Sequence, residues 1–308
     1  MSGVELMGLF KRKQMPRFYL LRNGELVVYI NNKGAELVSV KGVANKTEYI
    51  WNGDPDYWER RAPILFPFVG SLNGETYRHN GKEYRMPRHG FAHDMFFTKS
   101  AETEDQLWFV LDSNAETKKQ YPFDFHLAVC YRLRGHFLQV KWVVTNKDKE
   151  TMYFSIGGHP AFRCPLKEDE HQSDYYLGFD MEGRGNPKYH TLNRRGLYSP
   201  QEYELPLEKG LYRLNEGTFQ KDTMIFEKQT TRVYLMRPDK RPYVTVTSAS
   251  PIMSIWSPSD KHAPFVCIEP WYGSSDGEGF NGELSEKEWI QSLLPGEVFE
   301  AAYFIEFS

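Results

Sequence analysis

The chain has 308 residues, with 38 Lys and Arg against 41 Asp and Glu, for a net charge of −3. That near-balance excludes the basic surplus of a typical nucleic-acid binder, and no run approaches the ~18 apolar residues of a membrane helix. Seven Trp, 19 Tyr and 21 Phe supply ample apolar surface, which excludes a wholly disordered chain.

The predicted elements are almost all strands. In chain order they are 25–30 (ELVVYI), 35–40 (AELVSV), 106–111, 125–133, 137–146, 152–156, 231–236, 243–247, 253–256, 265–268 and 298–307. The clearest is 137–146, FLQVKWVVTN. Leu138, Val140, Trp142 and Val144 share one face, while Gln139, Lys141 and Thr145 share the other, the period of a half-buried strand. One helix is expected, over 285–294, with acidic residues early and Pro295-Gly296 closing it. Many strands joined by short Gly/Pro/Asn turns indicate an all-β, mostly antiparallel sandwich. Residues 167–217 read as a long loop-like excursion within one domain. Residues 1–15 lack a secretory signal pattern and read as a flexible extension, leaving 16–308 as a single domain. Cys130, Cys164 and Cys267 are too few and too far apart for a disulfide framework or a Cys-based zinc site. They read as small core fillers in a protein of a reducing, cytoplasmic compartment.

Four segments stand out: APILFPFVGSLNG, PRHGFAHD, IGGHPAF and CIEPWYG. The first reads as a core strand. In IGGHPAF, Pro160 biases His159 toward an extended conformation, and Gly157 and Gly158 permit close approach of a ligand. An imidazole suits proton transfer near neutral pH; the plain alternative is a histidine satisfying a loop hydrogen bond. In CIEPWYG, Glu269 follows an apolar run, where a carboxyl pKa rises and makes a better base. Its plain alternative is a glutamate bonded to a turn. Trp271 offers a flat apolar face to a sugar ring. His89 and His93 are four apart, the spacing of a zinc pair on a helix, but Gly90 and Phe91 weaken the helix and no third ligand is evident. A polar site without metal fits better.

Taken in order, these segments resemble the aldose 1-epimerase, or galactose mutarotase-like, family, in its LacX-like branch. The resemblance runs from GAELVSV through EYIWNGDPDYWERRAPILFPFVGSLNGETYRHNGKEYRMPRHGFAHD, FSIGGHPAF, DTMIF and CIEPWYG, over about residues 18–307. It implies a large β-supersandwich with an open polar cleft and cofactor-free interconversion of the α and β anomers of a hexose. His159 would be the acid that protonates the ring oxygen, and Glu269 the base that takes the anomeric hydroxyl proton. His89, His93, Asp222, Arg61 and Trp271 would contact the sugar. No metal, nucleic acid or membrane is implied, and the chain would be a monomer or homodimer. Two positions depart from the family pattern. Ser71 and His93 stand where relatives often carry arginine. A neutral imidazole lacks the bidentate fork of an arginine, so an unphosphorylated sugar is expected, with Arg61 or Arg88 as compensating cations. A non-catalytic sugar-binding or sugar-sensing domain on the same scaffold is the alternative.

Overall fold

The computed structural model describes residues 15–181 and 185–308. Of the expected extension, residues 1–14 lie outside the described residues, and Met15 is exposed. Two large sheets form the body. The nine-stranded sheet centres on the hairpin Phe125–Arg134 and Phe137–Asn146, paired in turn with Val298–Phe307. The eight-stranded sheet centres on Ile252–Trp256 and Phe265–Tyr272. A three-stranded antiparallel sheet, Phe18–Arg22, Leu26–Asn31 and Glu36–Gly42, opens the chain. This is the expected all-β, mostly antiparallel sandwich. Among the described residues no helix is long and apolar enough to cross a membrane.

The alternation read in 137–146 is the observed one: Leu138, Val140, Trp142 and Val144 are fully buried. The strand Phe265–Tyr272 behaves differently, because seven of its eight residues are buried. Both of its faces are covered. Val266 and Ile268 point into the main core, with Met253 and Ile255 of the neighbouring strand. Cys267 and Trp271 join smaller clusters on the opposite face. A strand covered on both sides loses the period-2 signal and reads as a continuous apolar run. It also places Cys267, Glu269 and Trp271 side by side on the outer face, since alternate residues share a face. All three cysteines are buried and unpaired, as expected of core fillers.

Three expectations need correction. Residues 285–294 form no helix. A 3-10 turn, Leu284–Glu286, is followed by the strand Gln291–Leu293, which pairs with Met152–Phe154. Lys287 turns inward to Asp276 and Trp289 takes φ +60°, so helical backbone does not propagate. The excursion 167–217 carries strands Tyr176–Phe179, Lys188–Leu192, Tyr198–Glu204 and Leu211–Arg213, which extend the edges of both large sheets. Edge strands tolerate polar residues, and Tyr198–Glu204 is largely exposed, which hides the strand pattern. In APILFPFVG only Ile64–Leu65 is strand. Pro67 has no N–H for a ladder, although the whole run is buried.

Candidate active site

The outer face of the eight-stranded sheet opens into a cleft of about 360 Å³, lined by Trp58, Arg60, Arg88, His89, His93, His159, Thr223, Trp256, Glu269 and Trp271. Its floor is the pair foreseen in the sequence. His159 follows the short strand Ile156–Gly158, which is hydrogen-bonded to Phe265–Tyr272, the strand that carries Glu269. The two strands bring His159 Nε2 to 3.3 Å from Glu269 Oε2. The His159 amide donates to the Pro63 carbonyl at 3.1 Å, which fixes the backbone before the ring is placed.

The ring sits in an aromatic box. Trp58 lies against it with centroids 4.7 Å apart and planes 31° from parallel; Trp256 meets it edge-on at 5.6 Å. Trp271 Nε1 donates to Glu269 Oε2 at 3.2 Å. Gly157 is required here. A Cβ on it would lie 2.8 Å from the Trp271 ring.

Burial sets the protonation. It pushes the His159 pKa down to about 3, helped by the charge of Arg88. It pushes the Glu269 carboxyl well above its ordinary value, against the hydrogen bond from Trp271 and the charge of Arg88. Burial thus works against the charged form of both groups.

His89 takes φ +66° and lies beside this pair, its ring centroid 5.6 Å from that of His159. The Gly70 amide approaches its Nδ1 at 3.0 Å, and Arg88 Nε approaches its Nε2 at 3.2 Å. A neutral imidazole accepts at one nitrogen only. Gly70 N and Arg88 Nε are therefore two donors competing for one acceptor position on the ring.

His93 is buried in the 3-10 turn Ala92–Asp94, with Nε2 3.3 Å from Asp94 and its pKa lowered to about 4 by burial. Arg60 also pairs with Asp94, at 3.3 Å. Arg61 is not among the lining residues. Its Nη1 donates to the Val38 carbonyl at 2.9 Å, and its amide donates to Glu36, so it ties the site loop to the first sheet. Arg60, one residue earlier, and Arg88 supply the cleft's cations instead. Asp222 stands at the edge, with φ +69° and Oδ1 holding the Thr223 amide and hydroxyl. Its charge reaches Glu269, and Thr223 lines the cleft. Trp58, Trp256 and Arg60 were not singled out from the sequence. The signal was present: Trp58 and Arg60 lie in DYWERRAP, inside the run that carried the resemblance.

The chain is similar to known proteins in both sequence and fold. The family model described as aldose 1-epimerase matches residues 17–303. The chain is 33% identical over 296 residues to the chromosomal protein LacX of Lactococcus lactis subsp. lactis, covering 92% of this chain and 97% of that one. A galactose mutarotase related enzyme from Lactobacillus acidophilus superposes with a TM-score of 0.89 at 32% identity, covering 95% of this chain and 97% of that one. A galactose mutarotase-like protein from Lactobacillus casei gives 0.88 at 31% identity, covering 95% of this chain and all of the other. By fold and by sequence, the chain belongs to the aldose 1-epimerase family.

Proposed function

We propose that the cleft interconverts the α and β anomers of an unphosphorylated hexose, with His159 and Glu269 moving the protons. The observation that carries this reading is their 3.3 Å contact on a buried floor flanked by Trp58, Trp256 and Trp271. The cleft volume of about 360 Å³ suits one sugar ring, near the small end of the ~300–1,000 Å³ range of small-molecule sites.

Ring opening takes a proton from the anomeric hydroxyl and gives one to the ring oxygen. His159 as imidazolium delivers to the ring oxygen while Glu269 as carboxylate accepts. The C1–O5 bond breaks, the aldehyde forms, C1–C2 rotates and the ring closes on the other face with the protons returned. Opening leaves neutral imidazole and carboxylic acid, the arrangement that burial favours. The site is thus electrostatically matched to the open-chain aldehyde. An acid and a base placed this way typically contribute ~10²–10⁴-fold each. Trp271 stacks on the sugar's C–H face, and His89, His93 and Asp222 hold hydroxyls.

The test is the optical rotation of freshly dissolved α-D-glucose and α-D-galactose, with Glu269→Gln as control. Acceleration in the wild type, reduced at least ~10²-fold in the variant while sugar still binds, supports the assignment. A fully active variant sinks it. Saturable binding with no acceleration of any sugar identifies a sugar-binding domain instead. One observation favours a second substrate class. Arg88 has no carboxylate partner among the described residues, so a hexose 6-phosphate belongs in the same assay.

A further inference from the structure

Cys267 has no role in the proton transfers, yet it lies against the residues that perform them. It shares the outer face of Phe265–Tyr272 with Glu269. A ring nitrogen of His159, Cys267 Sγ and a Glu269 carboxylate oxygen all fall within 4.8 Å of one another, and all three residues are buried. His159 Nδ1 is also buried without a hydrogen-bond partner, and the residue is only 7% exposed. The ring is held by stacking, so either nitrogen can be presented to a ligand without breaking a hydrogen bond at Nδ1.

Thiolate, imidazole and carboxylate are the donors that Zn²⁺ takes, whereas Mg²⁺ and Ca²⁺ prefer an all-oxygen shell. Metal–ligand bonds of ~2.0–2.3 Å place neighbouring tetrahedral donors ~3.5 Å apart. The His159–Glu269 contact of 3.3 Å already meets that spacing. The sulfur must close by roughly 1 Å, within reach of small side-chain rotations. Both His159 and Glu269 line the cleft, with Cys267 buried behind them, so an ion has a path in from the cleft side.

We propose that His159, Cys267 and Glu269 form a three-ligand site for a thiophilic divalent cation of the Zn²⁺ type, and that its occupancy switches the cleft off in competition with sugar. Binding consumes the His159 lone pair, the Glu269 carboxylate and the Cys267 thiolate, and the protons that the carboxyl and the thiol held both go to solvent. Neither proton-transfer group is then available. The inhibition rests on the function proposed above; the binding does not.

The test separates the two. Metal-free protein is titrated with Cd²⁺ while the ultraviolet cadmium–thiolate charge-transfer band is followed, and with Zn²⁺ by calorimetry. Mutarotation is then assayed at several Zn²⁺ and sugar concentrations. We expect one equivalent bound, the thiolate band, and a rise in apparent KM that high sugar overcomes. Cys267→Ser should keep its metal-free activity, lose the band and weaken Zn²⁺ binding by more than the ~10-fold that even an outer-shell partner costs. If serine disturbs folding, Cys267→Ala is the second variant. Absence of the band, or Zn²⁺ binding and inhibition unchanged in a folded Cys267 variant, overturns the site. A bound, thiolate-ligated ion in a protein that accelerates no sugar keeps the site and removes the function.

Discussion

Lys287 Nζ lies 2.5 Å from Asp276 Oδ1, and both side chains are almost wholly buried. The other oxygen of Asp276 accepts the Asn73 amide at 2.8 Å, and the Asp276 amide donates to the Ser71 carbonyl at 2.9 Å. Ser275 Oγ accepts the Ser71 amide at 3.1 Å. The pair therefore anchors the loop whose Gly70 amide orients His89. Removing one partner leaves an uncompensated buried charge, which costs ~3–5 kcal/mol. Lys287→Met and Asp276→Asn should each lose about that much stability in urea unfolding. The double variant should lose clearly less than the sum. Additive losses would mean that the two charges do not depend on each other.

The cleft histidines make stability depend on pH with a definite sign. His93 titrates at about 4 in the fold, against 6.5 for an ordinary histidine. Below the unfolded value, the unfolded chain takes up a proton that the fold refuses. Stability contributed by neutral His93 is therefore intact above about pH 6.5 and falls as pH drops toward 4. The slope is ~1.4 kcal/mol per pH unit, or about 2 kcal/mol between pH 6.5 and 5. Denaturant unfolding of His93→Gln should recover that difference at pH 5 and show little change at pH 8. An equal pH slope in wild type and variant would exclude His93 as a source.

Much of this was legible from the chain, for physical reasons that differ by element. The strand 137–146 was readable because one face is packed and the other half-exposed, so its pattern alternates. His159 and Glu269 were readable because titratable residues among Gly, Pro and aromatics are rare. The charges of 285–294 look solvated and so suggest a surface helix, while Lys287 turns inward to a partner 11 residues earlier in the chain. Nothing local announces such a partner. Arg61 and Arg60 are adjacent, and the choice between them depends on Glu36 capturing the backbone at 61 and 62, a contact made from another sheet. The apposition of Cys267 with His159 joins two strands and was equally invisible in either one.

Gly157 tests how closely Trp271 is held. An added Cβ would meet the Trp271 ring at 2.8 Å and the Pro270 carbonyl at 3.1 Å. Overpacking of this kind costs ~1–3 kcal/mol. Gly157→Ala should lose that much stability and also turnover, because the displaced indole no longer donates to Glu269. Wild-type stability with wild-type turnover would show that the ring moves aside freely.

The pH–rate profile tests the charge environment of the pair. A buried pair sharing one proton is active between the loss of that proton and the gain of a second, and the two apparent values belong to the pair. With His159 at about 3, the acid limb of kcat/KM should lie well below the 6.5 of an ordinary histidine. The alkaline limb should lie well above the ordinary carboxylate value, because burial raises Glu269. Arg88 lowers both pKa values through its charge, so Arg88→Met should raise both and move the alkaline limb upward. If Arg88 also meets the sugar, KM rises as well, but KM alone does not move the limb. An alkaline limb unmoved in Arg88→Met would show that its charge does not reach the pair, and an acid limb near 6.5 in the wild type would show that His159 is solvated when it works.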